Sequence, residues 1–281
     1  MTFLDRILEV VRQEIASARS ERPPSQLASR IADAPPVRNF LQPLATGNFR
    51  LIAEIKMRSP SVGPMRPENV ADASTVYQEH PIVAAISFLT NKTHFGLSIE
   101  DLAKTRNSVS KPILRKDFII EEYQIREARA FGADAILLMA NVLDPSRLQG
   151  FYDLARELGM QALFEIHEEK EIELLPADAK LVGINSRKFK SNSGFLNPGQ
   201  SSARDWTLDF SAFHFVKKLP PDTLHIAESG LTPSTIPQIA QSFHAGLVGT
   251  SILRDPRGTR ACLDEFQKAL TPASLPISSS G

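Results

Sequence analysis

Glu54 and Lys56 stand two residues apart in the stretch Leu51 to Gly63, LIAEIKMRSPSVG. Residues two apart on a strand project from the same face, so a carboxylate and an ammonium would emerge side by side. Such a pair can give and take protons within one pocket. Alone, a Glu-x-Lys is most often a solvated ion pair of little energetic weight. Here the pattern recurs. Lys116 ends PILRKDF, sharing a face with Leu114 and Phe118 while Arg115 and Asp117 take the other. Glu165 ends QALFEI; Asn185 and Arg187, again two apart, end LVGINSR; Glu228 and Ser229 end LHIAES. Each group has apolar residues behind it, which predicts one convergent acid–base site.

A second set of residues suits an anion. Ser229-Gly230-Leu231-Thr232 and Gly249-Thr250-Ser251 each follow an apolar run, the second just before a short helix expected at Ile252 to Arg254. Backbone N–H groups in glycine turns and at helix starts bind phosphate without a net positive patch. Ser59 would add a hydroxyl donor. His80, His94, His167, His214, His225 and His244 are scattered, with no His-x-x-x-His pair or mixed Cys/His spacing. Metal-free acid–base chemistry is therefore expected, with no cofactor.

Eight apolar runs position these groups: Leu51 to Lys56, Val83 to Thr90, Pro112 to Phe118, Ala135 to Ala140, Gln161 to Ile166, Leu181 to Ser186, Leu224 to Ser229 and Gly246 to Ser251. Between them lie helical patterns, the clearest being Glu121 to Phe131, stopped by Gly132, and Asp144 to Leu158, stopped by Gly159. Strands this apolar must be covered on their outer face, which argues for parallel pairing. Eight such units predict an α/β fold, a (β/α)8 barrel. A doubly wound open sheet is the competing topology, but no strand is followed by Gly-x-Gly-x-x-Gly. In a barrel the strand ends named above all fall on the carboxyl rim, where the chemistry sits. Phe3, Ile7, Val10, Val11 and Ile15 form one face of an extra amphipathic N-terminal helix. Residues 20 to 40, with four prolines, read as a connector. One domain is expected over 1–272, followed by a disordered tail at 273–281.

Composition excludes several partners. Lys plus Arg and Asp plus Glu are balanced at 32 each, so overall charge favours neither nucleic acid nor an anionic membrane surface. The sole cysteine, Cys262, cannot form an internal disulfide, and a reducing cytoplasm is the expected compartment. Asp5, Arg6 and Glu9 interrupt the apolar positions at the N-terminus, which is therefore neither a signal-peptide core nor a membrane span. A monomer or small homo-oligomer is expected.

The blocks IAEIKMRSPSVG, ISFLTNKTHFGLS, PILRKDFIIEEYQI, ALFEIHEEKEI, VGINSRKFK, IAESG and LVGTSIL, in this order across residues 3 to 270, resemble the indole-3-glycerol-phosphate synthase family of tryptophan biosynthesis. The resemblance implies a lyase that closes the pyrrole ring of 1-(2-carboxyphenylamino)-1-deoxyribulose 5-phosphate with loss of carbon dioxide and water. It implies Lys116 as general acid in ring closure and Glu165 as general base in dehydration, helped by Lys56. Glu54, Asn185, Glu228 and Ser229 would hold and polarise the substrate. Arg187 would frame its carboxylate side, and Phe95 and Phe118 would wall its aromatic ring. Other readings of the rim are a sugar-phosphate isomerase, an aldolase using Lys56 or Lys116 as a Schiff base, or a phosphate-binding barrel without turnover.

The chain departs from the family pattern in three places, one of them the short segment IAQSFHAGLVG before the eighth strand, which lacks the usual turn glycine. Phe95-Gly96-Leu97-Ser98 replaces the usual Phe-x-Gly-Ser, moving the glycine and placing a bulky side chain near the mouth. An Asn/Gly/Ser-rich insertion at 191–205 is expected to be a surface loop, able to fold over substrate through Phe195 or Leu196 or else to have no role.

Overall fold

The computed structural model describes residues 3–189 and 206–271. The insertion at 191–205, with its expected lid, and the tail at 273–281 lie outside the described residues. Eight strands close a barrel: β1 (Arg50–Ile55), β2 (Val83–Leu89), β3 (Ile113–Lys116), β4 (Ala135–Met139), β5 (Gln161–Ile166), β6 (Leu181–Asn185), β7 (Leu224–Glu228) and β8 (Ala245–Val248). Each pairs in parallel with its sequence neighbours, and β1 pairs with both β2 and β8. The expected (β/α)8 fold with an N-terminal helix is what forms.

Helices cover the barrel: α1 (Phe3–Glu21), α2 (Pro24–Ala32), α3 (Pro67–Glu79), α4 (Lys92–Phe95), α5 (Ile99–Ser108), α6 (Glu122–Ala130), α7 (Pro145–Glu157), α8 (Ile236–Ile239), α9 (Thr250–Leu253) and α10 (Thr259–Leu270). After β5 and β6 the crossovers contain 3-10 turns, Glu169–Leu174 and Phe210–Lys218. The α6 boundary follows from a capping box between Glu121 and Gln124 and from Gly132 in the left-handed region at φ 88°. At α7, Asp144 accepts from the N–H of Arg147 at 3.0 Å and Pro145 fills the first turn.

Three expectations need correction. The connector at 20–40 contains a helix, α2. Pro24 takes its first turn, where a missing N–H loses no bond, so the Pro23-Pro24 pair starts a helix rather than preventing one. Leu27 buries, and Arg30 Nε donates to the Ala130 carbonyl at 2.8 Å, joining α2 to α6. The last strand stops at Val248 rather than continuing to Ser251. The short helix expected at 252–254 begins at Thr250, because Gly249 serves as its cap.

On α1, Ile7, Val11 and Ile15 are buried at four-residue spacing, while Val10 is only half-buried. Tyr123 of α6 donates its hydroxyl to the carbonyls of Ala18 and Arg22, at 2.8 and 3.0 Å. Glu14 reaches the loop after β2, where it accepts from Asn91 Nδ2 at 2.8 Å and Thr93 Oγ1 at 2.5 Å. The extra helix is thereby tied to the carboxyl rim. Among the described residues no helix is long and apolar enough to cross a membrane.

Candidate active site

The barrel interior alternates with the pleat, so every second strand residue faces inward. On β3 that residue is Lys116, whose Nζ lies 2.7 Å from Glu165 Oε2 on β5 and 3.1 Å from Glu228 Oε2 on β7. Burial opposes the lysine charge, but Glu165, Glu228 and Glu54 outweigh it and hold the ammonium well above its ordinary pKa.

The two carboxyls divide unequally. Burial raises Glu228, and Glu165 beside it raises it further against the pull of Lys116, so its pKa is pushed up to about 8. Burial also acts to raise Glu165, but Lys116 and then His167 overcome it and hold this carboxyl below the usual range. The shorter Lys116 contact and the His167 ring, with Nε2 at 3.3 Å from Glu165 Oε1, explain why the negative charge settles on Glu165. Two carboxylates against one ammonium thus share one proton at neutral pH.

Space for this arrangement comes from a missing side chain. Gly183 of β6 sits in register with Glu165 and one strand from Glu228. A Cβ there would overlap Glu228 Oε1. Gly249 does the same for Glu54, whose carboxylate would collide with a Cβ at that position.

Lys56 is the first residue past β1, and its Nζ bonds Glu54 Oε1 with both side chains buried. Burial pushes its pKa down, with Arg187 and Lys116 reinforcing and Glu54 opposing. At the end of β6, Asn185 Oδ1 accepts from the Arg187 N–H at 3.0 Å. Arg187 Nη1 reaches Ser61 Oγ at 2.6 Å, and Ser61 pairs with Ser59 at 2.9 Å, so the loops after β1 and β6 are linked.

On the same rim, just past β7, Ser229 has φ 71°, the one positive-φ non-glycine among the described residues, followed by Gly230 at 70°. Such a conformation is strained for a residue with a Cβ. Ser186 Oγ supports the turn by donating to the Ser229 carbonyl at 3.1 Å. Ser251 Oγ donates to the Leu231 carbonyl at 2.8 Å, joining the turn after β7 to α9.

One cavity of about 370 Å³ is lined by all the catalytic and binding residues expected from the sequence: Glu54, Lys56, Ser59, Phe95, Lys116, Phe118, Glu165, Asn185, Arg187, Glu228, Ser229, Gly230, Leu231, Gly249 and Thr250. Its wall also includes Ile7 of α1, Leu137 and Met139. The amphipathic pattern marks Ile7 only as a packing residue. Leu97, like Phe95, packs partly buried against the core, and Gly96 at φ 88° ends α4 with no room for a Cβ against Met57. His167 is not singled out by a search for metal-binding spacings, although its distance in sequence from Glu165 is the same i, i+2 that identifies the other pairs. Among the described residues no cluster of three or more metal-binding side chains occurs.

A family model described as indole-3-glycerol phosphate synthase matches residues 4–263. The protein of that name from Chlorobium luteolum is 34% identical over 285 residues, covering 100% of this chain and 99% of its own length. The one from Rhodopirellula baltica is 37% identical over 260 residues, covering 91% and 95%. The one from Mycobacterium tuberculosis is 35% identical over 272 residues, covering 93% of each.

Proposed function

The chain belongs to the indole-3-glycerol phosphate synthase family, and we infer that it carries out that family's reaction, the decarboxylating ring closure and dehydration of 1-(2-carboxyphenylamino)-1-deoxyribulose 5-phosphate. It is a carbon–carbon lyase of aromatic amino acid biosynthesis. The isomerase, aldolase and binding-protein readings are not favoured, because the full-length relatives bear the synthase name.

The observation that carries the assignment of roles is Lys116, held in a buried cavity between Glu165 and Glu228. Ring closure builds negative charge on the ketone oxygen, and Lys116 supplies both the field and the proton. Its carboxylate neighbours keep that proton in place at neutral pH. Glu165, ionised and freed once Lys116 turns to substrate, takes the proton in dehydration, with Lys56 as the acid that accompanies loss of hydroxide. The depressed pKa of Lys56 brings it closer to the range in which a lysine exchanges protons.

Glu54 orients Lys56, while Asn185, Glu228 and Ser229 hold the substrate's polar groups. Arg187 frames the carboxylate that leaves as carbon dioxide. Phe95 and Phe118 bound the aromatic ring. The phosphate is assigned to the backbone of Gly230, Leu231, Gly249 and Thr250, with the Ser59 hydroxyl completing its shell. No metal or cofactor enters this scheme.

We further propose that the chain works in the cytoplasm as a single domain over 1–272, a monomer or small homo-oligomer acting on a small phosphorylated substrate. Indole fluorescence after mixing with the carboxyphenylamino substrate tests the assignment: product should form without added metal, and no signal at any substrate concentration overturns it.

A further inference from the structure

His167 lies two residues past Glu165, immediately beyond the end of β5, and is buried. Its backbone is fixed by Glu171. That carboxylate, itself buried, accepts from the His167 N–H at 2.7 Å and the Glu168 N–H at 3.3 Å. Glu168 and Glu171 form the capping box that opens the turn Glu169–Leu174. The loop leaving β5 is thereby clamped at its first residues, and the imidazole is directed back at the barrel axis.

Its target is the oxygen that Lys116 does not hold. Lys116 Nζ contacts Glu165 Oε2, while His167 Nε2 lies 3.3 Å from Oε1. A carboxylate anchored by one oxygen can rotate about its terminal torsion, which for glutamate is broad. Anchored by both, it presents a single orientation. When Lys116 turns to the substrate oxygen, the contact with Glu228 remains on the cavity side and the histidine contact fixes Oε1 from the other.

We propose that His167 is a positioning residue for Glu165, holding its Oε1 through Nε2 so that the carboxylate keeps the dehydration geometry while Lys116 is engaged with substrate. The inference rests on the assignment of Glu165 as the base. It has specific consequences. His167 does not line the cavity, so it touches no substrate, and its loss should affect the dehydration step rather than substrate affinity. The nitrogen that faces Glu165 matters more than the ring. A glutamine places its amide nitrogen about where Nε2 sits and donates from there, whereas a leucine of comparable bulk donates nothing.

The test compares His167→Leu, His167→Gln and Glu165→Gln. Loss of this contact to an ionised carboxylate predicts a loss of about 10- to 100-fold in kcat for His167→Leu, with KM within about threefold. The cyclised, undehydrated intermediate should accumulate in a single turnover. His167→Gln should recover kcat to within about threefold of the parent. If His167→Leu turns over like the parent, or if the leucine and glutamine variants lose kcat equally, the positioning role is wrong. A rise in KM with no build-up of intermediate would exclude that role as well. The Glu165→Gln arm isolates the premise: if that variant accumulates no intermediate, Glu165 is not the dehydration base and the proposal falls with it. If it does accumulate while His167→Leu does not, only the histidine's role is overturned.

Discussion

Consecutive residues of β3 build two unlike charge clusters on opposite sides of one strand. Lys116 faces the cavity between two glutamates. Arg115 faces outward, where Nη2 contacts Asp117 at 3.1 Å and Glu127 at 3.0 Å, Nη1 donates to the Gln124 carbonyl at 2.7 Å and Nε donates to Thr90 Oγ1 at 3.0 Å. Thr90 in turn donates its hydroxyl to Asp117 at 2.6 Å. Burial opposes the Arg115 charge, but Glu127 and Asp117 outweigh it, and its pKa is raised. Both clusters are buried and ion-paired, yet only one is arranged to exchange protons. The outer one uses a guanidinium that never deprotonates and a fork that satisfies several acceptors at fixed angles. In the inner one a flexible ammonium stands between carboxyls with unequal proton affinity, so a substrate oxygen can compete for it. Burial and charge do not by themselves mark a catalytic centre; the exchangeability of the proton does.

Four measurements bear on this contrast. The largest effect should come from Lys116→Met, which removes the inner cation. Turnover should fall by at least about 10³-fold while affinity for a product analogue stays within about tenfold. A variant retaining most of its turnover would remove Lys116 from the acid's role and erase the distinction between the two faces.

Next comes Glu165→Gln, for which about a 10²-fold loss is expected, confined to dehydration. Rapid-quench analysis should recover the cyclised intermediate; an unchanged steady-state rate would count against the assignment.

The outer cluster is probed by Arg115→Lys. One ammonium cannot make the fork's contacts, and disrupting a buried pair should cost about 2–4 kcal/mol of stability with kcat changed less than about threefold. Chemical denaturation read beside turnover separates the two; lost activity at unchanged stability would make the outer cluster catalytic after all.

The most gradual effect is a pH slope. Glu228 has its folded pKa raised from 4.5 to about 8, so it binds more proton folded than unfolded. Its contribution is complete below about 4.5 and is lost as pH rises through about 8. Stability should decline across that window, by no more than about 1.4 kcal/mol per pH unit. Glu228→Gln should flatten the decline. A slope that survives the substitution would assign the proton elsewhere.

Much of this is legible in the sequence, for a geometric reason. A strand's period of two is short, so Glu54 with Lys56, and Asn185 with Arg187, can be assigned a common face by counting. Lys116, Glu165 and Glu228 follow because polar ends on apolar runs point to a barrel rim. Other features depend on more than counting. The helix α2 is hidden because a proline reads as a breaker where it is in fact a first-turn residue. Ile7 enters the cavity from a helix remote in sequence, a placement set by tertiary packing. His167 escapes a search for metal ligands because its partner is a carboxylate rather than an ion. The family of the chain comes from the order of whole blocks, which spacing arguments alone cannot supply.

Gly183 and Gly249 constrain what this scaffold can become. Each leaves a gap that a neighbouring strand's carboxylate occupies, so the cavity floor is a mould in which two positions must stay bare. A chain diverging toward another substrate can redraw its rim loops one residue at a time, because each change leaves the floor intact. Redrawing the floor is different in kind: the first methyl at Gly183 evicts Glu228 before any replacement chemistry exists. Evolutionary or laboratory routes to new activities on this barrel should therefore run through its loops and leave these two glycines in place.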